Sequence, residues 1–160
     1  MIIDETIRKQ IDALRPHFPS EQALLLPLLH AIQAKEGWIS RTAMQEAAQF
    51  LQLPLARVVE VVTFYTMYNR QPIGKQHLQV CTNVSCFLRG ADHLVACLEK
   101  RLGIKVGETT PDGRFTLSEV ECLAACGTAP VMQVNDDYHE NLDEKALNQL
   151  MDRLEKEQRQ

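Results

Sequence analysis

All five cysteines fall within residues 81–126, and four of them constrain this chain more than any other feature. The four form two pairs, CTNVSC (81–86) and CLAAC (122–126), with four residues inside the first, three inside the second and 35 between them. A zinc knuckle or a thioredoxin-type redox site uses two intervening residues, and neither pair has that spacing. A fold that uses all four must therefore bring together two loops from distant parts of the sequence. The first 80 residues contain no cysteine. The N-terminal stretch MIIDETIRKQ has neither a basic leader nor an apolar core. A cytoplasmic chain is expected, and there cysteines are not a disulfide framework.

The two parts of the sequence differ in period. Residues 1–70 read as a helical bundle, the first of two domains. Ile7, Ile11 and Leu14 form one stripe at helical spacing, and Leu25, Leu28, Leu29 and Ile32 a second. Pro27 within the second stripe implies a kink or a later start. Met44, Ala47, Ala48 and Leu51 form a third stripe behind a capping Ser40. A fourth begins at Pro54 and runs through Val58, Val61 and Val62. The segment TFYTMYNRQPIGK (63–75) reads as the connection, with its aromatics packed between the two parts.

Residues 71–160 alternate strand and helix and form the second domain. HLQVC (77–81) is a strand that delivers Cys81 at its end. Ala91, Leu94, Val95, Leu98 and Leu102 then give a helix closed by Gly103. RFTLSEVEC (114–122) is a strand whose alternation slips between Leu117 and Val120, which predicts a bulge or a strand covered on both faces. VMQV, NDD and YHENL predict a hairpin, and Leu147, Leu150 and Leu154 a last helix. The fold class is α/β: an N-terminal helical bundle followed by a domain of order β-α-β-β-α, that of a thioredoxin-like sandwich.

Four thiolates converging from two loops suit either tetrahedral zinc or an iron–sulfur cluster. A two-iron cluster is larger than a zinc ion, and longer loops inside each pair supply both the span and the backbone N–H groups that its sulfurs accept from. Cys86 is placed just before a helix whose N-terminus favours negative charge. Gly127, directly after Cys126, is expected to take positive φ or to let backbone approach the sulfur. Inert buried cysteines, zinc and a dithiol site remain the alternatives to the cluster. Cys97 reads as core packing, and His17, His30, His77, His93 and His139 as scattered surface histidines.

Other function classes are excluded or lack a signal. A formal net charge of −4 with no basic run argues against a nucleic-acid partner. The most apolar window, ALLLPLLHAI, is about half the roughly twenty residues that a membrane-spanning helix needs. No phosphate-binding glycine loop or nucleophile constellation is present, so no catalytic residue is assigned.

With these flanks, the four-cysteine pattern resembles the NuoE-type, thioredoxin-like 2Fe–2S subunit of NADH:quinone oxidoreductase, respiratory complex I. The resemblance takes in LLPLLHAIQAKEGWIS (25–40), VVTFYTMYNRQPIGK (61–75), CTNVSCFLRG (81–90) and the stretch from Thr109 to Leu142. It implies that Cys81, Cys86, Cys122 and Cys126 ligate one 2Fe–2S cluster, two thiolates to each iron. It also implies a partner, the NuoF-type flavoprotein subunit that carries FMN and NADH, which the N-terminal helices would clasp. The chain would carry electrons in an oxidoreductase, peripheral on the cytoplasmic face of the inner membrane, with no catalysis of its own. A diaphorase subunit of an NAD-dependent formate dehydrogenase or NAD-linked hydrogenase, and a free-standing thioredoxin-like ferredoxin, are the alternatives.

Overall fold

The computed structural model describes residues 1–157, and the polar tail after the last helix lies outside them. The chain forms two compact units, Met1–Pro72 and Ile73–Gln160.

The first unit is helical. α1 (Glu5–Leu14) is capped by Asp4, whose side chain accepts from the Ile7 N–H, and it buries Ile7 and Ile11. After two short 3₁₀ turns, α2 (Leu25–Glu36) starts late enough that Pro27 falls in its first turn, where no intrahelical N–H is lost. Gly37 closes α2 at φ 79°, a conformation that glycine enters without steric cost. Ser40 caps α3 (Arg41–Phe50) by accepting from Ala43. Pro54 precedes α4 (Leu55–Phe64), which buries Val58 and Val62.

The aromatic segment departs from the expectation. α4 continues through Phe64, and of the aromatics only Tyr68 is buried. Its hydroxyl donates to the Leu26 carbonyl at 3.1 Å and its ring lies against His30, both within the same unit. Phe64 and Met67 stay exposed. A phenol has a polar end that must find a partner when buried, and the Leu26 carbonyl in the first turn of α2 supplies one.

The second unit is a four-stranded sheet with helices. Its strands are β1 (Gln76–Cys81), β2 (Phe115–Val120), β3 (Met132–Val134) and β4 (Asp137–His139), in the order β2-β1-β3-β4. β1 runs parallel to β2 and antiparallel to β3, and β3 and β4 form a two-residue hairpin with Asn135 at φ 52°. Between β1 and β2 lie a short helix α5 (Val84–Leu88) and the longer α6 (Ala91–Leu102), and α7 (Glu144–Glu157) follows the hairpin. The α/β class holds. The order gains α5, and the hairpin contributes two strands.

Leu78 and Val80 of β1, Leu117, Met132 and Val134 meet Leu94 and Leu98 of α6 and Leu147, Leu150 and Met151 of α7 in one apolar core. Fully burying each such side chain contributes roughly 1.5–3 kcal/mol. Arg101 ties α6 to α7 through Asp152 at 2.6 Å and Glu155 at 2.9 Å.

β2 is covered on both faces at its start, one step before the slip expected between Leu117 and Val120, where Ser118 and Val120 are half-buried and Glu119 is exposed. Phe115, Thr116 and Leu117 are consecutively buried, and Thr116 is satisfied there by the Gly74 N–H at 2.6 Å and the Thr109 hydroxyl at 2.7 Å. A Cβ on Gly74 would lie 2.8 Å from the backbone of Arg114 and Phe115, so only glycine fits. Among the described residues no helix is long and apolar enough to cross a membrane.

Candidate metal centre

Adjacent parallel strands set the geometry of the cysteine loops. Cys81 ends β1 and pairs in register with Val120, the last residue of β2, so Cys122 follows two residues beyond its partner. Both loops therefore leave the sheet at the carboxyl ends of neighbouring strands, where open α/β sheets carry their sites. The Thr82 N–H donates to the Val120 carbonyl and the Cys81 N–H to the Val131 carbonyl, each at 3.1 Å, fixing the two chain exits against each other.

Cys86 lies inside α5 rather than just before a long helix. Asn83 caps α5 instead, its side-chain oxygen accepting from the Val84 N–H at 2.8 Å. The Asn83 amide nitrogen donates to the Glu121 carbonyl at 2.8 Å, next to Cys122. One side chain thus joins the first cysteine loop to the second. The order Cys-x-Asn-Val before a helical turn carries this signal in sequence, because asparagine is a favoured cap; sequence reasoning passed over it.

The pairs differ in exposure. Cys81 and Cys86 are buried, at 3% and 2% of their surface, while Cys122 and Cys126 are exposed. Burial pushes the Cys86 thiol above its ordinary range. A hydrogen bond with Cys81 and the charges of Cys81 and Cys126 push it the same way, while the Val131 backbone N–H favours the thiolate. Cys86 therefore senses a sulfur from each loop. Cys122 sits differently: its sulfur accepts from the Ala124 N–H at 3.2 Å.

Ala124, not glycine, takes the left-handed conformation here, at φ 57°. Gly127 has an ordinary φ, and a Cβ on it would meet nothing within 4 Å. The glycine after Cys126 is thus not required by backbone geometry, and the strained position lies two residues before Cys126. Nothing in an alanine announces this, since alanine has no preference for positive φ.

The donor set suits an iron–sulfur cluster. All four donors are thiols, the ligands such clusters take, and backbone N–H groups aim at two of the sulfurs. Among the described residues no three of these four sulfurs lie within 4.8 Å of one another. A tetrahedral zinc with Zn–S bonds of about 2.3 Å would hold its sulfurs roughly 3.8 Å apart. Ser85, Leu88, Arg89, Cys126, Gly127 and Asn141 are among the residues lining an open depression at Cys126. Val84, Phe87 and Leu88 on α5 are exposed beside it.

Residues 11–155 match the model of the thioredoxin-like [2Fe-2S] ferredoxin family. The chain is 48% identical over 147 residues to an NADH-quinone oxidoreductase subunit of Rhizobium meliloti (strain 1021), covering 92% of this chain and 88% of that protein. It is 49% identical over 138 residues to the corresponding NADH-quinone oxidoreductase subunit of Rickettsia prowazekii (strain Madrid E), covering 84% and 78%. Among solved structures it resembles an NAD+-reducing [NiFe]-hydrogenase in the air-oxidized state, with a TM-score of 0.73 at 20% identity. That match covers 83% of this chain and 23% of the other, and it is a likeness of fold.

Proposed function

The chain belongs to the thioredoxin-like [2Fe-2S] ferredoxin family, and from that premise we propose that it is the 2Fe–2S electron-transfer subunit of an NADH–quinone oxidoreductase. The observation that carries this reading is the 48% identity to a subunit of such an enzyme over most of both chains. The hydrogenase likeness, at 20% identity, selects no holoenzyme.

Cys81, Cys86, Cys122 and Cys126 are the residues that would hold the cluster, four thiols on two loops that leave the sheet side by side. When bound, a 2Fe–2S cluster takes up and returns single electrons. The protein's own contribution is to set where and how easily that happens. Cys81 and Cys86 shield one side from water, which disfavours added negative charge. The N–H groups of Val131 and Ala124 donate to sulfur, which favours it. Exposure of Cys122 and Cys126 leaves the other side open to a donor.

The partner in this reading is the subunit that carries FMN and NADH. The exposed apolar face of Val84, Phe87 and Leu88, beside the depression over Cys126, is the surface it would cover. The chain would sit on the cytoplasmic face of the membrane through the assembled complex.

The test is anaerobic purification of the full chain, with visible and low-temperature EPR spectra before and after dithionite. The expected result is a red-brown protein that bleaches and gains a one-electron rhombic signal. Cys→Ser at any of the four positions sharply lowers cluster content, and the isolated chain does not oxidise NADH. Full cluster content in Cys122→Ser would sink the ligand assignment. Failure to co-purify with an NADH-oxidising flavoprotein when the two are expressed together would sink the partner.

A further inference from the structure

A second group of metal-type donors lies in the same unit and uses none of the four loop cysteines. His93 and Cys97 are four residues apart on α6 and so share one face, and Glu144 opens α7. His93 Nε2 lies 2.9 Å from Glu144 Oε2 and 3.6 Å from Cys97 Sγ, and the three donor atoms all fall within 4.8 Å of one another. Among the described residues this is the one such group of three.

We propose that His93, Cys97 and Glu144 form a binding site for one divalent transition-metal ion of borderline softness, of which Zn²⁺ is the best match. The donor set is mixed imidazole, thiolate and carboxylate, and zinc takes each of these. Bonds of about 2.0–2.3 Å in tetrahedral geometry place neighbouring donor atoms roughly 3.3–3.8 Å apart. Of the two distances already present, one falls within that range and the other just below it. Closing the site requires the His93–Glu144 pair to open from hydrogen-bond distance, with all three donor atoms already within 4.8 Å of one another.

The framework is rigid where it must be. Leu94 and Leu98 anchor α6 in the core, and Leu147 anchors α7. Asp143 caps α7 by accepting from the Ala146 N–H at 2.7 Å, which fixes the backbone next to Glu144. Cys97 itself packs at the edge of this core, as its place on the helical stripe predicts, but its sulfur faces His93. Burial and the Glu144 charge push the Cys97 thiol up, and Lys100 only partly offsets them. A dication meets a thiolate and a carboxylate, two negative charges for its two positive ones. Binding releases the thiol proton to solvent, leaves His93 neutral and keeps at least one water on the metal. The ion would staple α6 to α7.

The experiment uses the full chain with its cluster in place, titrated with Zn²⁺ by calorimetry and with Co²⁺ by absorption. One equivalent should bind. Co²⁺ should give a thiolate-to-metal charge-transfer band with the d–d bands of four-coordinate cobalt. Cys97→Ser should remove the charge-transfer band. The surface substitutions His93→Gln and Glu144→Gln should weaken binding about tenfold or more. At equal Zn²⁺ concentration the melting temperature should rise in the wild type and rise less in Glu144→Gln. The cluster spectrum should stay unchanged throughout. The proposal is overturned by absence of a stoichiometric binding event, by a charge-transfer band that survives Cys97→Ser, or by uptake that proceeds only with loss of the cluster.

Discussion

Cys86 and Cys122 sit in opposite surroundings, and the small groups beside them decide how each thiol behaves. Cys86 is held inside α5 with the Val131 N–H aimed at its sulfur. Cys122 depends on a loop that turns through Ala124 at φ 57° to bring an N–H onto sulfur at 3.2 Å. A left-handed residue with a Cβ costs roughly 1–2 kcal/mol, and a β-branched one is more strained still. Ala124→Val is therefore expected to lower cluster content and speed its loss in air, whereas Ala124→Gly should retain it at least as well as wild type. Equal retention in all three proteins, followed by the visible band under oxygen, would show that the loop does not need this turn. At this scale the sequence singles out four thiols by type and spacing and says nothing of the groups that surround them. Thiols announce themselves by type and spacing, whereas a strained alanine and an unstrained Gly127 do not.

Elements were read more completely because periodicity survives into structure. The stripes of Ile7, Ile11 and Leu14, of Leu25, Leu28, Leu29 and Ile32, and of Val58, Val61 and Val62 fall on α1, α2 and α4. All are buried there except Leu14 and Val61, which are half-buried, and Ser40 caps α3 as its position suggests. What periodicity cannot show is a helix too short to have a period, and α5 is five residues long. Its existence rests on Asn83, which both caps it and grips the Glu121 carbonyl. Asn83→Ala removes both bonds and should destabilise the fold by about 1–2 kcal/mol. Its cluster should also be lost faster than the loss of global stability alone would explain. Asn83→Asp keeps the cap but cannot donate to Glu121, so its cluster lifetime should fall between the two. If Asn83→Asp matches wild type, the bond between the loops is not what holds them. The sheet carries a pH signature as well. Burial holds His77 on β1 below its ordinary pKa of 6.5, with its ring bonded to Ser118 at 2.8 Å. Burial also lowers His139 on β4, helped by Arg153 and opposed by Asp137. Both rings are favoured neutral in the fold, so below the ordinary pKa the unfolded chain binds more protons than the native one. Their contribution to stability is complete above pH 6.5 and is lost as pH falls through the lowered native values. Denaturant midpoints should therefore drop on acidification below pH 6.5, and His77→Gln should flatten part of that drop. An identical slope in the variant would assign the pH dependence elsewhere.

At the scale of the whole molecule, each unit carries exposed apolar side chains of its own. Phe64 and Met67 are 77% and 52% exposed in the first unit, and Phe87 and Leu88 are 57% and 77% exposed in the second. Single exposed apolar residues are ordinary, but these come in neighbouring pairs, and the second pair shares α5 with Cys86. Such patches mark contacts with other proteins. In the proposed assembly, a flavoprotein that approached the open side of the cysteine loops would meet Phe87 and Leu88. Phe87→Glu with Leu88→Glu should weaken binding to the flavoprotein by about tenfold or more while leaving the cluster spectrum unchanged, because neither side chain is in the core. Tyr138→Glu, on an exposed part of β4, is the control and should bind as wild type. Phe64→Glu with Met67→Glu then measures what the helical unit adds. A loss there as large as that at Phe87 and Leu88 means the first unit clasps the partner too. No loss at either patch would remove the structural case for this docking surface.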